Sequence, residues 1–259
     1  MLIDELLTYL FDGQSHLLAP PMATWLNSSR RFIAFVDNFR DKIRKKIRTT
    51  QDQESLLDLR LELETAHLLH REKSLSVEYE PQRAERIRHP DFAVNFTTSL
   101  TFMVEVTRLR VDQKSLPATP ETDAKAAPPL IGERLGDAVC SKLGQMMHQK
   151  SNVLIAGVDD LELTQNDIRD AWVRIQQRAE RSEPTFLQRY RFRDRTEFFH
   201  HYQRLSELIV RGTELKAGEA VIGWINPQAK YPLPSKVRTA LYRSHIHRAV
   251  GTSSKSALS

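Results

Sequence analysis

The chain has 259 residues, enough to bury a sizeable core, and its 40% hydrophobic and 27% charged residues are an ordinary balance for a globular protein. No run approaches the roughly 18 apolar residues of a membrane span, and the opening "MLIDELLTYLFDG" carries acids where a secretory signal carries bases, so the expected location is cytoplasmic with no membrane partner. The formal net charge of +5 is compatible with a polyanion partner, whereas the single Cys140 excludes an intramolecular disulfide and a cysteine zinc site and reads as a small apolar helix residue.

Residues 1–50 form a predicted helical extension in which "APP" at 19–21 ends one helix before a second starts. The second finishes in "NFRDKIRKKIRTT", the densest basic run of the chain. Its Arg44, Lys45, Lys46 and Arg48 make either a solvated face or a phosphate-contacting surface. Residues 52–71 read as one long helix, with Leu59, Leu63, Ala66 and Leu69 at helical spacing on a buried stripe. Glu62 falls inside that stripe and Glu64 away from it, at about 100° per residue. A carboxylate on a buried helix face needs a partner.

A strand is expected at "SVEYE", a break at Pro90, and then two strands, "DFAVNF" and "LTFMVEVTRL", joined by a turn at 97–99. In the last of these Met103, Glu105 and Thr107 share one face and Val104, Val106 and Arg108 the other. Apolar residues on both faces predict a sheet covered by helices on each side, so Glu105 is not a simple solvent-face residue. Residues 112–130, "DQKSLPATPETDAKAAPPL", have no period and read as a flexible insertion. A helix over 132–150 follows, with Leu135, Val139, Leu143 and Met146 on one stripe, and then "NVLIAGVDD" as a buried strand. Thr164 and Asp167 are a capping signal for "QNDIRDAWVRIQQRAER". "DRTEFFHHYQRLSELIVRG" predicts a helix ending at Gly212, and "EAVIGWINP" a last strand stopped by Pro227. Residues 51–227 thus make an α/β core, and 228–259 a surface loop, a short helix and a tail.

The coarse order is helix, three strands, helix, strand, with Glu62 on the first helix, Asp91 at the start of the second strand and Glu105 within the third. Three such carboxylates could together hold a hard divalent cation, and a magnesium-bound water can become a nucleophile toward a phosphodiester. This order, with "LELETA", "HPDFAV" and "FMVEVT", resembles the PD-(D/E)XK nuclease superfamily over residues 54–159, with a strand at 221–225 as an addition. Pro90 and Asp91 stand at its "PD", Glu105 and Thr107 at its "(D/E)XK". The resemblance implies an α/β fold with a restriction-endonuclease-like core, a mixed sheet flanked by helices, carrying additional N- and C-terminal helices. It implies Asp91 and Glu105 as metal ligands completed by Glu62, Mg²⁺ or Mn²⁺ as cofactor, and hydrolysis of nucleic acid, with DNA favoured. It also places Lys142 and Gln145 toward the pocket, and a homodimer is the expectation for an enzyme that cuts both strands. Thr107 departs from the pattern, which has a lysine there to orient the water and stabilise developing charge. Lys142 from the neighbouring helix, or Arg108 from the opposite face of the strand, are the side chains that could supply that charge, Thr107 or Lys142 would position the water, and Arg108 and Gln145 are also expected to contact the nucleic acid.

Plainer readings stand beside these. Asp91 after a proline can be turn chemistry, Glu105 can form a buried ion pair with Arg108, Arg110 or a helix lysine, and Glu62 can be an ordinary helix glutamate. In "TFLQRYRFRDRTEFFHHYQR" the arginines, Arg191 and Arg193 among them, either contact nucleic acid or form a wet rim around core aromatics. His200, His201, His245 and His247 lack cysteine or carboxylate partners at zinc spacing, and no Walker A loop, dinucleotide fingerprint, nucleophile elbow or HExxH is found. Two alternatives to a nuclease follow: a degenerate member of the fold that binds nucleic acid without cleaving it, and a structural or interaction subunit.

Overall fold

The run Leu100–Leu109 is apolar on both of its faces, and the architecture is arranged around it as a strand covered from two sides. The structure is a computed structural model that describes residues 2–81, 90–98, 100–110, 131–159, 164–213 and 221–245. Helices α1 (Ile3–Phe11), α2 (Ala19–Ser28), α3 (Arg30–Asn38) and α4 (Arg40–Thr49) lead into the long α5 (Gln53–Arg71). Strands β1 (Leu75–Tyr79), β2 (Phe92–Phe96) and β3 (Leu100–Leu109) follow, then α6 (Ile131–Leu143) and β4 (Asn152–Val158). Helices α7 (Gln165–Glu180), α8 (Pro184–Arg189) and α9 (Arg195–Tyr202) lead to β5 (Leu205–Gly212), β6 (Ile222–Ile225) and α10 (Ser235–His245).

The six strands form one mixed sheet in sequence order. β1, β2 and β3 are antiparallel neighbours, β3, β4 and β5 run parallel, and β6 returns antiparallel on β5. Side-chain alternation divides the core. Phe102, Val104, Val106, Val153, Ile155 and Ile209 face α5, α10 and the N-terminal helices, which share their apolar cluster. Leu154, Ala156, Val158, Leu208 and Val210 face α6, α7, α8 and α9. The class is therefore α/β, and the expected run of helix, three strands, helix and strand is α5, β1, β2, β3, α6 and β4. The insertion at 112–130 and the tail lie outside the described residues.

Several boundaries differ from expectation. The second N-terminal helix is three helices, because Ser29 leaves helical geometry to cap α3 through Phe32 N–H (3.2 Å) and the chain turns again at Phe39. α6 stops at Leu143, before Gly144, and the following loop is held by Asn152, whose side chain bonds both the N–H and the carbonyl of Met147. Met146 is buried beyond the helix end. The segment read as a helix reaching Gly212 ends as a helix at Tyr202, and residues 205–212 are a fully buried strand. A short apolar run carries no decisive period, and here pairing with β4 settles it as a strand. Glu64, expected to turn away from the buried stripe of α5, is buried because α5 is covered on more than one side, and it pairs with Arg211 of β5 at 2.8 Å. The Thr164 and Asp167 capping box is present as read, and Cys140 is a buried helix residue whose thiol burial pushes upward in pKa.

Candidate active site

β1 ends at Tyr79 and the β2–β3 ladder stops at the Phe92–Val104 pair, so past Val104 the strand β3 has no partner on β2. At this corner groups from both sheet faces can meet. Asp91, one residue before β2, reaches across and accepts the Val106 N–H at 2.7 Å, replacing the backbone acceptor that a longer β2 would supply. Glu105 points to the α6 side, where Lys142 of the last turn of α6 donates to its Oε1 at 2.6 Å. Glu62 comes from α5 on the opposite face, and is close enough to Asp91 and Glu105 to repel both carboxylates.

The electrostatics follow from that convergence. Burial, then the charges of Glu105 and Glu62, push the Asp91 carboxyl well above the ordinary range, against the Val106 N–H and Lys142. Burial raises Glu105 likewise, although Lys142 pulls it down. A second ammonium stands on the other side. Lys46 of α4 lies 2.7 Å from Glu62 and 2.5 Å from Glu80, and 4.9 Å from the centre of the Tyr79 ring. Although burial is the largest influence and lowers it, the two glutamates outweigh burial and raise the Lys46 pKa. Lys42 also reaches Glu80, at 3.3 Å.

The geometry brings together Glu62, Asp91, Glu105 and Lys142 from the residues expected of the site, together with Lys46 from the run expected to contact phosphate, and adds Tyr79 and Glu80. Thr107 lies on the Glu105 face of β3, partly exposed and opposite Ala156 of β4. Arg108, considered as a replacement for the missing lysine and as a nucleic-acid contact, does neither as placed. Its side chain is 1% exposed and is shared among Glu54, Asp58 and Asp159 on the α5 face, with Asp159 at 2.9 Å. Gln145 lies beyond α6, its N–H donating to the Lys142 carbonyl.

The basic run of α4 is only partly free for a ligand. Arg44 and Arg48 pair with Asp12, and Arg44 also covers the Tyr9 ring, while Lys45 is exposed. In the arginine-aromatic segment Phe186, Phe192, Phe198 and Tyr202 are core, Arg191 is exposed and Arg193 pairs with Glu197 at 3.1 Å, which is the wet-rim arrangement. Position sets Lys46 apart from its neighbours in the run: Lys42 and Lys46 flank the buried Ile43 and Ile47 on α4, one turn apart, whereas Lys45 falls on the outer face.

Among the described residues no three His, Cys, Asp or Glu side chains are arranged as a metal cluster. The donor chemistry nonetheless fits a hard divalent ion, since the converging groups are carboxylates and magnesium is commonly held by one or two of these with waters completing its shell. Among the described residues no helix is long and apolar enough to cross a membrane. No known protein family, curated protein or solved structure matches the chain.

Proposed function

We propose that this chain is a divalent-metal-dependent phosphodiesterase acting on nucleic acid, built on a restriction-endonuclease-like core of the PD-(D/E)XK kind. One observation carries the reading: Glu62, Asp91 and Glu105 converge on one partly desolvated corner, where the charges of Glu105 and Glu62 disfavour the Asp91 carboxylate and the charge of Glu62 disfavours that of Glu105, an arrangement that a cation relieves. Asp91 and Glu105 would hold Mg²⁺ or Mn²⁺, with Glu62 in support. When bound, the ion supplies a water of lowered pKa and neutralises charge on the phosphate.

The remaining work falls to the chain. The Val106 N–H fixes the Asp91 carboxylate, and Lys142 orients Glu105 while standing in reach of the pocket. Lys142 takes the place of the motif lysine that Thr107 lacks, donating from α6 toward a phosphoryl oxygen. Lys46 orients Glu62 and, with exposed Lys45, offers positive charge to the phosphate backbone.

A second reading, a binding member of the fold without hydrolysis, is favoured by a separate observation: Lys142 and Lys46 already pair with Glu105 and Glu62, and among the described residues no three-acid cluster is preformed. The deciding experiment is cleavage of mixed DNA and RNA substrates with Mg²⁺ or Mn²⁺, comparing wild type with Asp91→Ala and Glu105→Ala. Metal-dependent cutting lost in both variants supports hydrolysis. Salt-sensitive binding by a folded wild type that cuts nothing with either ion supports the second reading and ends the first.

A further inference from the structure

Away from the carboxylate corner, a cavity of about 710 Å³ lies between the C-terminal turn of α5, the outer strand β6 and α10, within the size range of small-ligand sites. It is lined by Arg71 and Glu72 at the end of α5, Gly223 and Ile225 of β6, and Arg238, Thr239, Tyr242 and Arg243 of α10. It shares no lining residue with the carboxylate site.

The charges are unequal and unequally tied. Arg238 is fixed: Nε donates to the fully buried Glu207 at 2.9 Å and an NH2 group to the Leu233 carbonyl at 3.1 Å. Arg243 is loosely engaged, with its nearest contact to Glu72 at 3.4 Å and a side chain 60% exposed. Among the described residues Arg71 has no carboxylate partner. Among the described residues three guanidiniums line the cavity against one lining carboxylate, Glu72, and Glu207 behind Arg238, leaving positive charge in surplus among these groups. Guanidinium forks match the oxygens of phosphate, and three of them around one cavity suit a head with three oxygens better than a carboxylate with two. The other surfaces are of a different kind. Tyr242 sits directly over Gly223, where an added Cβ would lie 1.5 Å from its hydroxyl. Together with Ile225, 47% exposed, this ring supplies flat and apolar contact area.

We infer that this arginine-lined cavity is a second ligand site, for a phosphate monoester carrying a flat apolar body, of mononucleotide size. The inference is independent of the proposed hydrolysis. Arg71 and Arg243 bind the phosphate, with Arg243 released from Glu72, while the rigid Arg238 and the Thr239 hydroxyl set its position.

The test is calorimetric titration of the full chain, in EDTA, with adenosine monophosphate, adenosine, inorganic phosphate and benzoate as probes. Adenosine monophosphate is expected to bind saturably and at least about tenfold more tightly than the other three. Arg71→Ala combined with Arg243→Ala weakens it by more than about tenfold, since each lost charge-assisted contact is worth at least that factor. Asp91→Asn leaves it unchanged. Absence of saturable binding, equal binding by the arginine variant, or loss in Asp91→Asn each overturns the site, and benzoate binding as tightly overturns the phosphate assignment. If the double variant melts early, Arg243→Gln alone, at an exposed side chain, carries the same comparison.

Discussion

Replacing Asp91 by Asn should make the apo protein more stable, not less. The Asn Oδ1 can still accept the Val106 N–H, which Asp91 holds at 2.7 Å, while the charge repelled by Glu105 and Glu62 is removed. An acid whose folded pKa is raised contributes stability below its unfolded pKa and loses it as pH rises through the folded value, so at neutral pH the Asp91 carboxylate weakens the fold. Relief of such a charge is expected to give about 1–2 kcal/mol, the upper part of the range common for single stabilising substitutions. At about 2–4 °C per kcal/mol for a chain near this size, the variant should melt about 2–8 °C higher. The assay is thermal unfolding in EDTA at pH 7.5, repeated toward acid, where the advantage should shrink as the wild-type carboxyl protonates. Adding Mg²⁺ at 100 times its Kd should stabilise wild type by about 2.7 kcal/mol and the variant by much less. An Asn variant melting below wild type in EDTA would refute this, because Asp91 would then be a net structural contact.

Three further outcomes are expected. Lys142→Met removes the ammonium held 2.6 Å from Glu105; the Glu105 carboxyl should rise further, the acid limb of any cleavage profile should move to higher pH, and the rate should fall by about 100-fold in a protein with an unchanged circular dichroism spectrum. His70 and His245 are buried, and burial, helped by Arg31 and Arg211 respectively, lowers each to about 4 from 6.5. Both must stay neutral to fold, so stability should be complete above pH 6.5 and fall as pH drops toward 4, by about 3 kcal/mol for each at about 1.4 kcal/mol per unit; His70→Phe should flatten this dependence in urea titrations at stepped pH. Glu64→Ala strands the fully buried Arg211 without its 2.8 Å partner and should cost about 3–5 kcal/mol in denaturant unfolding.

What was legible in the sequence was what obeys a local period or a local cap. α5 and β3 stand within a residue of their expected limits, because the stripe of Leu59, Leu63, Ala66 and Leu69 and the two-sided apolar run of β3 each have one reading. Glu62, Asp91 and Glu105 were singled out because a charge in such company needs a reason. β5 was not legible: "LSELIVRG" includes Glu207 and Arg211, which look like solvent-facing helix residues until Arg238 and Glu64, far away in the chain, are seen to neutralise them. Arg108 misled for the same reason, since its partners Glu54, Asp58 and Asp159 are set by packing of α5 and by the end of β4. Lys46 belonged to a run dense enough to hide it, although its position beside Ile43 and Ile47 marked it as turned inward.

The contrast between these ion pairs bears on function. Glu64 with Arg211 and Glu207 with Arg238 each set one acid against one base, as a buried pair kept for the fold requires. Among the described residues at the sheet corner, Glu62, Glu80 and Glu105 pair with Lys42, Lys46 and Lys142, whereas Asp91 is held by the Val106 N–H, so these groups carry one carboxylate in surplus. The surplus falls on Asp91, whose charged form is disfavoured by its surroundings. A fold maintained for stability alone gains nothing from that surplus, because a neutral side chain could take the Val106 N–H equally well. A site that recruits a cation does gain from it, since the same repulsion that destabilises the apo state is released on binding and adds to the affinity.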